Sequence, residues 1–328
     1  MENRVLGRTG RQVSVVGLGC WQLGADWGRV DDADAFAVLH AAVDAGVTFL
    51  DTADVYGDGR SEQLIARFLA ERAADVTVAT KCGRRADPHV PASFTPENLR
   101  AWTDRSRANL RVDRLDLVQL HCPPTPVFST DEVFDALDEL VAEGNLAAYG
   151  VSVETCDEAL TAIARPNVAS VQIILNAFRR KPLERVLPAA RAAGVGIIAR
   201  VPLASGLLSG KYDEHTAFAA DDHRTYNRNG EAFDVGETFS GVPYEVGVRA
   251  ARSLAAVAED LGTSTAALAL RWVIDQPGVG VVIPGARNAE QAKANAAAQM
   301  VPPLSEDTLC AVEQIYDEQI REHVHDRW

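Results

Sequence analysis

Cysteine is scarce in this chain and badly placed for crosslinking. The five cysteines stand at positions 20, 82, 122, 156 and 310. The number is odd and no two have Cys-x-x-Cys spacing, so neither a disulfide framework nor a structural zinc is expected, and a reducing, cytoplasmic setting fits. No run of about 20 apolar residues occurs, so no membrane-spanning helix is expected. The opening stretch Met-Glu-Asn-Arg-Val-Leu-Gly-Arg lacks the apolar segment of a secretory signal. Positive charge is in deficit, with 32 Lys and Arg against 46 Asp and Glu and a net charge of −14. That balance speaks against nucleic acid or an anionic membrane as partner. A Gly-x-Gly-x-x-Gly fingerprint is also missing: Gly17-Leu18-Gly19 is followed by Gln22 where the third glycine belongs, which argues against a Rossmann domain.

What is present is length and periodicity. A chain of 328 residues with 47% hydrophobic side chains has room for two or three domains or for one large α/β barrel. It buries enough of its surface to fold without crosslinks or metal. Short β-branched runs predict strands at Val13–Gly17, Val47–Asp51, Val76–Thr80, Leu115–Leu120, Leu146–Val151, Ser170–Ile173, Val195–Ala199 and Val279–Ile283. Amphipathic segments between them predict helices near 32–45, 61–73, 96–109, 131–143, 156–164, 183–193, 244–261 and 288–298. Thr95-Pro96 reads as a cap followed by proline in the first turn, and Gly46, Gly144, Gly194 and Gly262 stand where helices should stop. Eight alternations point to a (β/α)8 TIM barrel, read as one domain over 1–328. Residues 4–14 read as an N-terminal β-hairpin closing the barrel's bottom. Residues 201–243 read as a long, glycine-punctuated loop after the seventh strand, and loops of that length are usually functional. Further helices are expected at 263–276 and 305–321.

Barrel enzymes carry their reactive groups at the C-terminal ends of strands. Here those ends offer Asp51, then Tyr56 in Asp51-Thr52-Ala53-Asp54-Val55-Tyr56-Gly57, Lys81 in Ala79-Thr80-Lys81, and His121 in Leu120-His121-Cys122-Pro123. Taken singly, Asp51 also reads as a helix cap, Tyr56 as a packed aromatic and His121 as a structural histidine. Lys81 directly after an apolar run is harder to explain away, because a buried ammonium requires a partner charge. As a set they suit one role. Asp51 holds Lys81, Lys81 stabilises the Tyr56 phenolate and lowers its pKa, and His121 orients a substrate oxygen. After the seventh strand, Pro202-Leu203-Ala204-Ser205-Gly206 and Lys211 offer a flexible backbone and a charge to a pyrophosphate. After the eighth come Pro284-Gly285-Ala286-Arg287, then Gln291 and Asn295 at helical spacing, which is where barrels commonly bind phosphate.

The Asp-Thr-Ala-Asp-Val-Tyr-Gly segment, the Thr-Lys strand end and the Leu-His-Cys-Pro strand end together resemble the catalytic tetrad of the aldo-keto reductase family, in its bacterial-type branch. The resemblance runs from about residue 3 to about residue 300 in order and spacing. It implies that Tyr56 is the general acid/base, with Asp51, Lys81 and His121 as its partners. It implies NADPH as hydride source, with NADH as the alternative, and an aldehyde or ketone reduced reversibly to an alcohol. By the same resemblance Ser152 and Gln172 hold the nicotinamide carboxamide, Gly19, Cys20 and Trp21 lie beside its ring, and Arg200, Val201 and Pro202 continue the site. Arg287 would then meet a ribose 2′-phosphate. The chain departs from the familiar pattern where Val153 follows Ser152, where Arg200 replaces a stacking aromatic, and where Ala294 replaces an acidic adenine contact.

Two other readings compete. Some relatives, such as the potassium-channel β subunits, act as nicotinamide-binding accessory proteins with little turnover. A metal-dependent hydrolase using Asp51, Asp54 and His121 is the other, although no metal is expected. His323 and His325 at i,i+2 spacing form only a weak metal pair, His215 and His223 face either substrate or solvent, and Cys82 and Cys122 read as packed thiols. The substrate pocket is expected from Trp21, Trp27, the 84–91, 122–129 and 211–243 loops and the tail. Neither the substrate nor the oligomeric state is legible.

Overall fold

A computed structural model of the chain describes residues 1–24 and 30–328; Trp27 lies outside the described residues. Strands β1 (Asn3–Val5) and β2 (Gln12–Ser14) pair antiparallel as the expected hairpin. Its apolar side chains Leu6 and Val13 are fully buried against Phe49, Ala79, Leu117, Ile198 and Val281, which fill the bottom of the barrel. The hairpin sits backbone-to-backbone on the barrel: a Cβ on Gly7 would meet the Gly196 amide nitrogen at 2.0 Å.

Eight parallel strands follow: β3 (Leu18–Gly19), β4 (Phe49–Asp51), β5 (Thr77–Cys82), β6 (Leu117–His121), β7 (Tyr149–Ser152), β8 (Ser170–Ile174), β9 (Gly196–Arg200) and β10 (Val279–Val282). Each pairs with its sequence neighbour. Parallel bridges Val16↔Val282 and Gly19↔Gly285 join the last strand to the first and close the ring. One sequence expectation needs correction. The run Val13–Gly17 is not a single barrel strand: Val13 and Ser14 belong to the hairpin, and the barrel strand begins at Leu18. The same β-branched alternation serves both elements, and only pairing separates them: Val15 donates its N–H to Glu2 of the hairpin, and Gly17 donates to Val282 of the barrel.

Helices between the strands cover the barrel with their apolar faces. Their ends follow local chemistry. Thr95 caps helix Pro96–Leu110, Thr155 and Glu158 form a reciprocal capping box on Cys156–Ile163, and Gly194 ends Val186–Ala193 in the left-handed conformation that a Cβ disfavours. The helix expected over 183–193 begins only at Val186, because Lys181–Leu183 forms a separate 3-10 turn.

The long loop after β9 is not featureless. It holds the turns Ala204–Ser209, His223–Tyr226, Val235–Glu237 and Phe239–Gly241, and it is tied to the barrel mouth. Asn176 donates to the Ser240 hydroxyl at 2.7 Å, and Ser205 donates to the Glu237 carbonyl at 3.0 Å. Trp328 props the loop from outside, donating from its indole to Asp234 at 3.0 Å and lying against Gly236 and Gly241. His325 is engaged by Tyr316 and Glu184 and His323 faces Glu322, so the two do not converge as a metal pair. Among the described residues no helix is long and apolar enough to cross a membrane.

Candidate active site

The four strand-end residues meet. Lys81, 1% exposed, donates from Nζ to Asp51 Oδ1 at 2.6 Å, to the Thr52 carbonyl at 2.9 Å and to the Tyr56 hydroxyl at 3.2 Å. The His121 ring stands edge-on to Tyr56, with centroids 5.9 Å apart. Parallel pairing explains the convergence. Asp51 lies beside Ala79 on β5, so Lys81, two residues further along the same face, reaches over it. Tyr56 follows β4 in a turn whose Gly57 has φ of +60° and lies against Gly24.

Burial governs the protonation states. It pushes the Tyr56 phenol above its ordinary value despite the opposing pull of Lys81. The expected lowering of this pKa by Lys81 is therefore real as one contribution, but burial outweighs it, and Tyr56 rests as a proton-carrying phenol. Burial also disfavours the Lys81 ammonium, yet Asp51 and Tyr56 reverse that and hold it charged. His121 is driven well below its usual range by burial and then by Arg84, Lys81 and Arg200, so it is neutral at neutral pH. Its Nδ1 is buried without a partner among the described residues.

A cavity of about 690 Å³ runs from Asp51 and Tyr56 to Arg287. It is lined by every expected cofactor residue except Ser152, which is buried beneath it with its hydroxyl 3.6 Å from Cys122 Sγ. Gln172 lines the wall, but its amide nitrogen is committed to Asp51 Oδ2 at 2.7 Å. At the far end the backbone turns left-handed at Val201, Ala204, Ser205 and Gly206. Three of these are not glycine and cost of order 1–3 kcal/mol each, strain that clusters at ligand clamps. Lys211 and Arg287 are exposed on this cavity, and neither side chain has an ion-pair partner among the described residues. Gln291 Oε1 accepts from the Arg287 amide at 2.9 Å, and Asn295 donates to the Gly285 carbonyl at 3.0 Å, so both shape the loop beside Arg287. A left-handed cradle and two uncommitted cations fit a dinucleotide phosphate group.

The structure adds residues that the sequence did not single out. Tyr212, Asp222 and Arg224 of the long loop line the same cavity, with Arg224 bound to Asp222 at 2.8 Å. The loop also lays His223 and Phe233 on Trp21, at ring-centroid distances of 5.0 and 6.0 Å, while Trp21 stacks on Tyr56 at 6.0 Å. His223 is fully buried and His215 exposed, which divides the two loop histidines. Glu154 and Glu237 hold the Arg200 guanidinium by its edges, and Arg84 binds Glu237 in turn. No periodicity marks such residues; only the fold brings them together. The hydrolase reading loses its first ligand, because Asp51 spends both oxygens on Lys81, Gln172 and Gln119. The group Cys122, Glu154 and Glu237 has ligand atoms within 4.8 Å of one another, but the Arg200 guanidinium contacts all three.

Residues 15–317 match the Aldo/keto reductase family. The chain belongs to the aldo/keto reductase family. Its sequence is 30% identical over 303 residues to the aldo-keto reductase YhdN of Bacillus subtilis, covering 90% of this chain and 87% of that one. It is 27% identical over 333 residues to a probable voltage-gated potassium channel subunit beta of Arabidopsis thaliana, covering 96% of both. Among solved structures, the glycerol dehydrogenase of Gluconobacter oxydans superposes with a TM-score of 0.78 at 30% identity, covering 99% of this chain and 97% of that one. The (β/α)8 barrel is thus the family's architecture, and an aldo/keto reductase is an oxidoreductase that works with NADP(H).

Proposed function

We propose that this aldo/keto reductase uses NADPH to reduce an aldehyde or ketone to an alcohol, and runs the same step in reverse. The observation that carries the reading is the chain from buried Asp51 and Lys81 to half-buried Tyr56, with 2.6 and 3.2 Å contacts, opening onto the cavity beside a neutral His121. NADPH would be held by the Val201–Gly206 cradle, Lys211, Arg287 and the residues beside Tyr56, and when bound it supplies the hydride.

The protein's own residues manage the proton and the oxygen. Neutral His121 donates a hydrogen bond to the carbonyl oxygen and fixes it against Tyr56. Tyr56 transfers its phenolic proton to that oxygen as negative charge develops there. The phenolate left behind faces the Lys81 ammonium at 3.2 Å, and Asp51 keeps that ammonium charged and in place. In the oxidative direction the phenolate takes the alcohol proton back. Arg287 favours the phosphorylated dinucleotide by supplying charge to its 2′-phosphate, while Lys211 supplies charge to the pyrophosphate.

The test is NADPH consumption with a panel of aldehydes, ketones and dicarbonyls, repeated with NADH and with Tyr56→Phe. Turnover of at least one carbonyl that collapses in the variant supports the reading; unimpaired turnover in Tyr56→Phe removes it. The potassium-channel subunit among the relatives motivates a second reading, a nicotinamide-binding accessory protein. Tight NADPH binding with no turnover of any carbonyl would favour that one.

A further inference from the structure

Behind the cavity wall lies an ionic cluster to which no step above assigns a role. Arg200, at the end of β9, is 6% exposed and lines the cavity with Tyr56, Gln172 and Glu237. Its guanidinium donates to Glu154 at 2.9 Å and to the Val153 carbonyl at 3.0 Å, and lies 3.4 Å from Glu237. Glu237 also binds Arg84 at 3.1 Å. Arg179, stacked on Trp328 at 3.9 Å, donates to the Glu154 carbonyl at 2.6 Å, and Asp234 sits beside it on the long loop. Cys122 completes the set, 3.8 Å from Arg200. Five segments of the barrel mouth and the long loop thus converge on one group of buried and half-buried charges.

The groups facing Glu154 are Arg200, Arg84 and Arg179 on the positive side, and Glu237, Asp234 and the Cys122 thiol on the other. Glu237 is held ionised, down to about 2, because Arg200 and Arg84 overcome its burial. Burial pushes the Cys122 thiol up, so it is neutral. Three guanidinium groups therefore face two carboxylates, and Glu154 decides whether the cluster is neutral or carries one surplus positive charge. Its Oε1 is buried with no hydrogen-bond partner among the described residues. Burial pushes its carboxyl up to about 7, against the pull of Arg200.

The two redox states of the nicotinamide differ in the same quantity, since the oxidised ring carries a positive charge and the reduced ring does not. We propose, on the footing of the NADP(H) reading, that Glu154 is a proton-linked counter-charge through which this site discriminates oxidised from reduced cofactor. Oxidised cofactor binds better when Glu154 is ionised, and so releases a proton on binding. Reduced cofactor is indifferent to that proton. The neutral, protonated form of Glu154 biases the site toward NADPH, the direction of carbonyl reduction. Glu154 is a positioning and electrostatic residue here, acting through Arg200 and Glu237.

The test is the ratio of the dissociation constants of NADP⁺ and NADPH, measured by fluorescence titration from about pH 6 to about pH 8. Titration of the 2′-phosphate is common to both cofactors and cancels in the ratio. The ratio should fall about tenfold across that range, the linkage of one buried titration. In Glu154→Gln, which keeps an acceptor for Arg200 but cannot ionise, it should stay flat near its acid value. Calorimetry of the parent protein in two buffers of different ionisation enthalpy should show more proton release with NADP⁺ than with NADPH, the excess being the Glu154 proton, and it needs no variant to fold. A ratio independent of pH in the parent, a Glu154→Gln ratio that keeps the slope, or equal proton release with both cofactors overturns the inference alone. If neither cofactor binds at any pH, the NADP(H) reading itself falls, and this inference with it.

Discussion

Replacing Lys81 with methionine removes a charge of 1% exposure from between Asp51 and Tyr56 while keeping an apolar stem of similar length. Asp51, 3% exposed, then keeps only the Gln172 and Gln119 amides, at 2.7 and 3.2 Å, against a full negative charge. Breaking one side of a buried ion pair costs about 3–5 kcal/mol, because the survivor stays buried without its counter-charge. At about 2–4 °C per kcal/mol for a large domain, the midpoint of thermal unfolding should drop by roughly 6–20 °C. Adding Asp51→Asn removes the stranded charge, so the double variant should recover about 2 kcal/mol or more of that loss. Activity should not recover, since Tyr56 would have lost the ammonium that stabilises its phenolate. Turnover should fall by about 10²–10⁴ in both variants, the range of general acid–base contributions. Denaturant unfolding at neutral pH gives the stabilities, and NADPH consumption with an active carbonyl gives the rates. A Lys81→Met protein as stable as the parent, or a double variant no more stable than the single one, would refute the ion-pair argument.

Three further outcomes follow from the same geometry. Asp54 is fully buried with both carboxylate oxygens unpartnered among the described residues, and burial and then Glu62 raise it to about 7. With the folded value above the unfolded one, the protein holds that stability below about pH 4 and loses it as pH rises through about 7. Asp54→Asn should therefore match the parent near pH 4 and exceed it by about 2–4 kcal/mol near pH 8, read from unfolding curves at both pH values; an equal difference at the two would reject the assignment. Arg287→Ala should weaken NADPH binding by about 10- to 100-fold and NADH binding much less, since a charge-assisted contact to phosphate is worth about 1.5–3 kcal/mol. A fluorescence titration with equal losses for both cofactors would place Arg287 away from the 2′-phosphate. Gly57→Ala puts a Cβ at 2.3 Å from the Gly24 carbonyl in a left-handed turn, so the Tyr56 hydroxyl should shift and kcat drop with NADPH affinity kept; unchanged kcat would show that the turn tolerates displacement.

The fold was legible because a barrel repeats one local pattern, and each strand ends where a glycine, a cap or a polar residue changes the periodicity. The one misplaced strand, at Val13–Gly17, shows the limit. A β-branched run says that backbone is extended, but not which partner it pairs with, and here Ser14 belongs to the hairpin while Leu18 begins the barrel. The long loop was legible as an excursion, and its short turns were not. They are held by single contacts such as Asn176 to Ser240 and Trp328 to Asp234, between residues 64 and 94 positions apart, which leave no trace in local sequence.

The four candidate catalytic residues were readable because Asp51, Lys81 and His121 stand at strand ends and Tyr56 in the turn just after β4, where topology sends them to the mouth. Their protonation was not, because it depends on a competition between burial and charge that spacing cannot weigh. Proximity of Lys81 to Tyr56 argues for a lowered phenol, yet the closed surroundings decide the opposite sign. That outcome suits the proposed reduction better than the expectation did. A phenol that already ionised at neutral pH would have no proton to give, whereas one held up by burial keeps its proton until negative charge appears on the substrate oxygen, and Lys81 at 3.2 Å then stabilises what remains. For the same physical reason, the net charge of −14 carries no information about the site. Charges on the surface are solvated and screened, while the behaviour of the mouth turns on buried Lys81, Arg200 and Glu237 and half-buried Glu154, whose balance is set within a few ångströms.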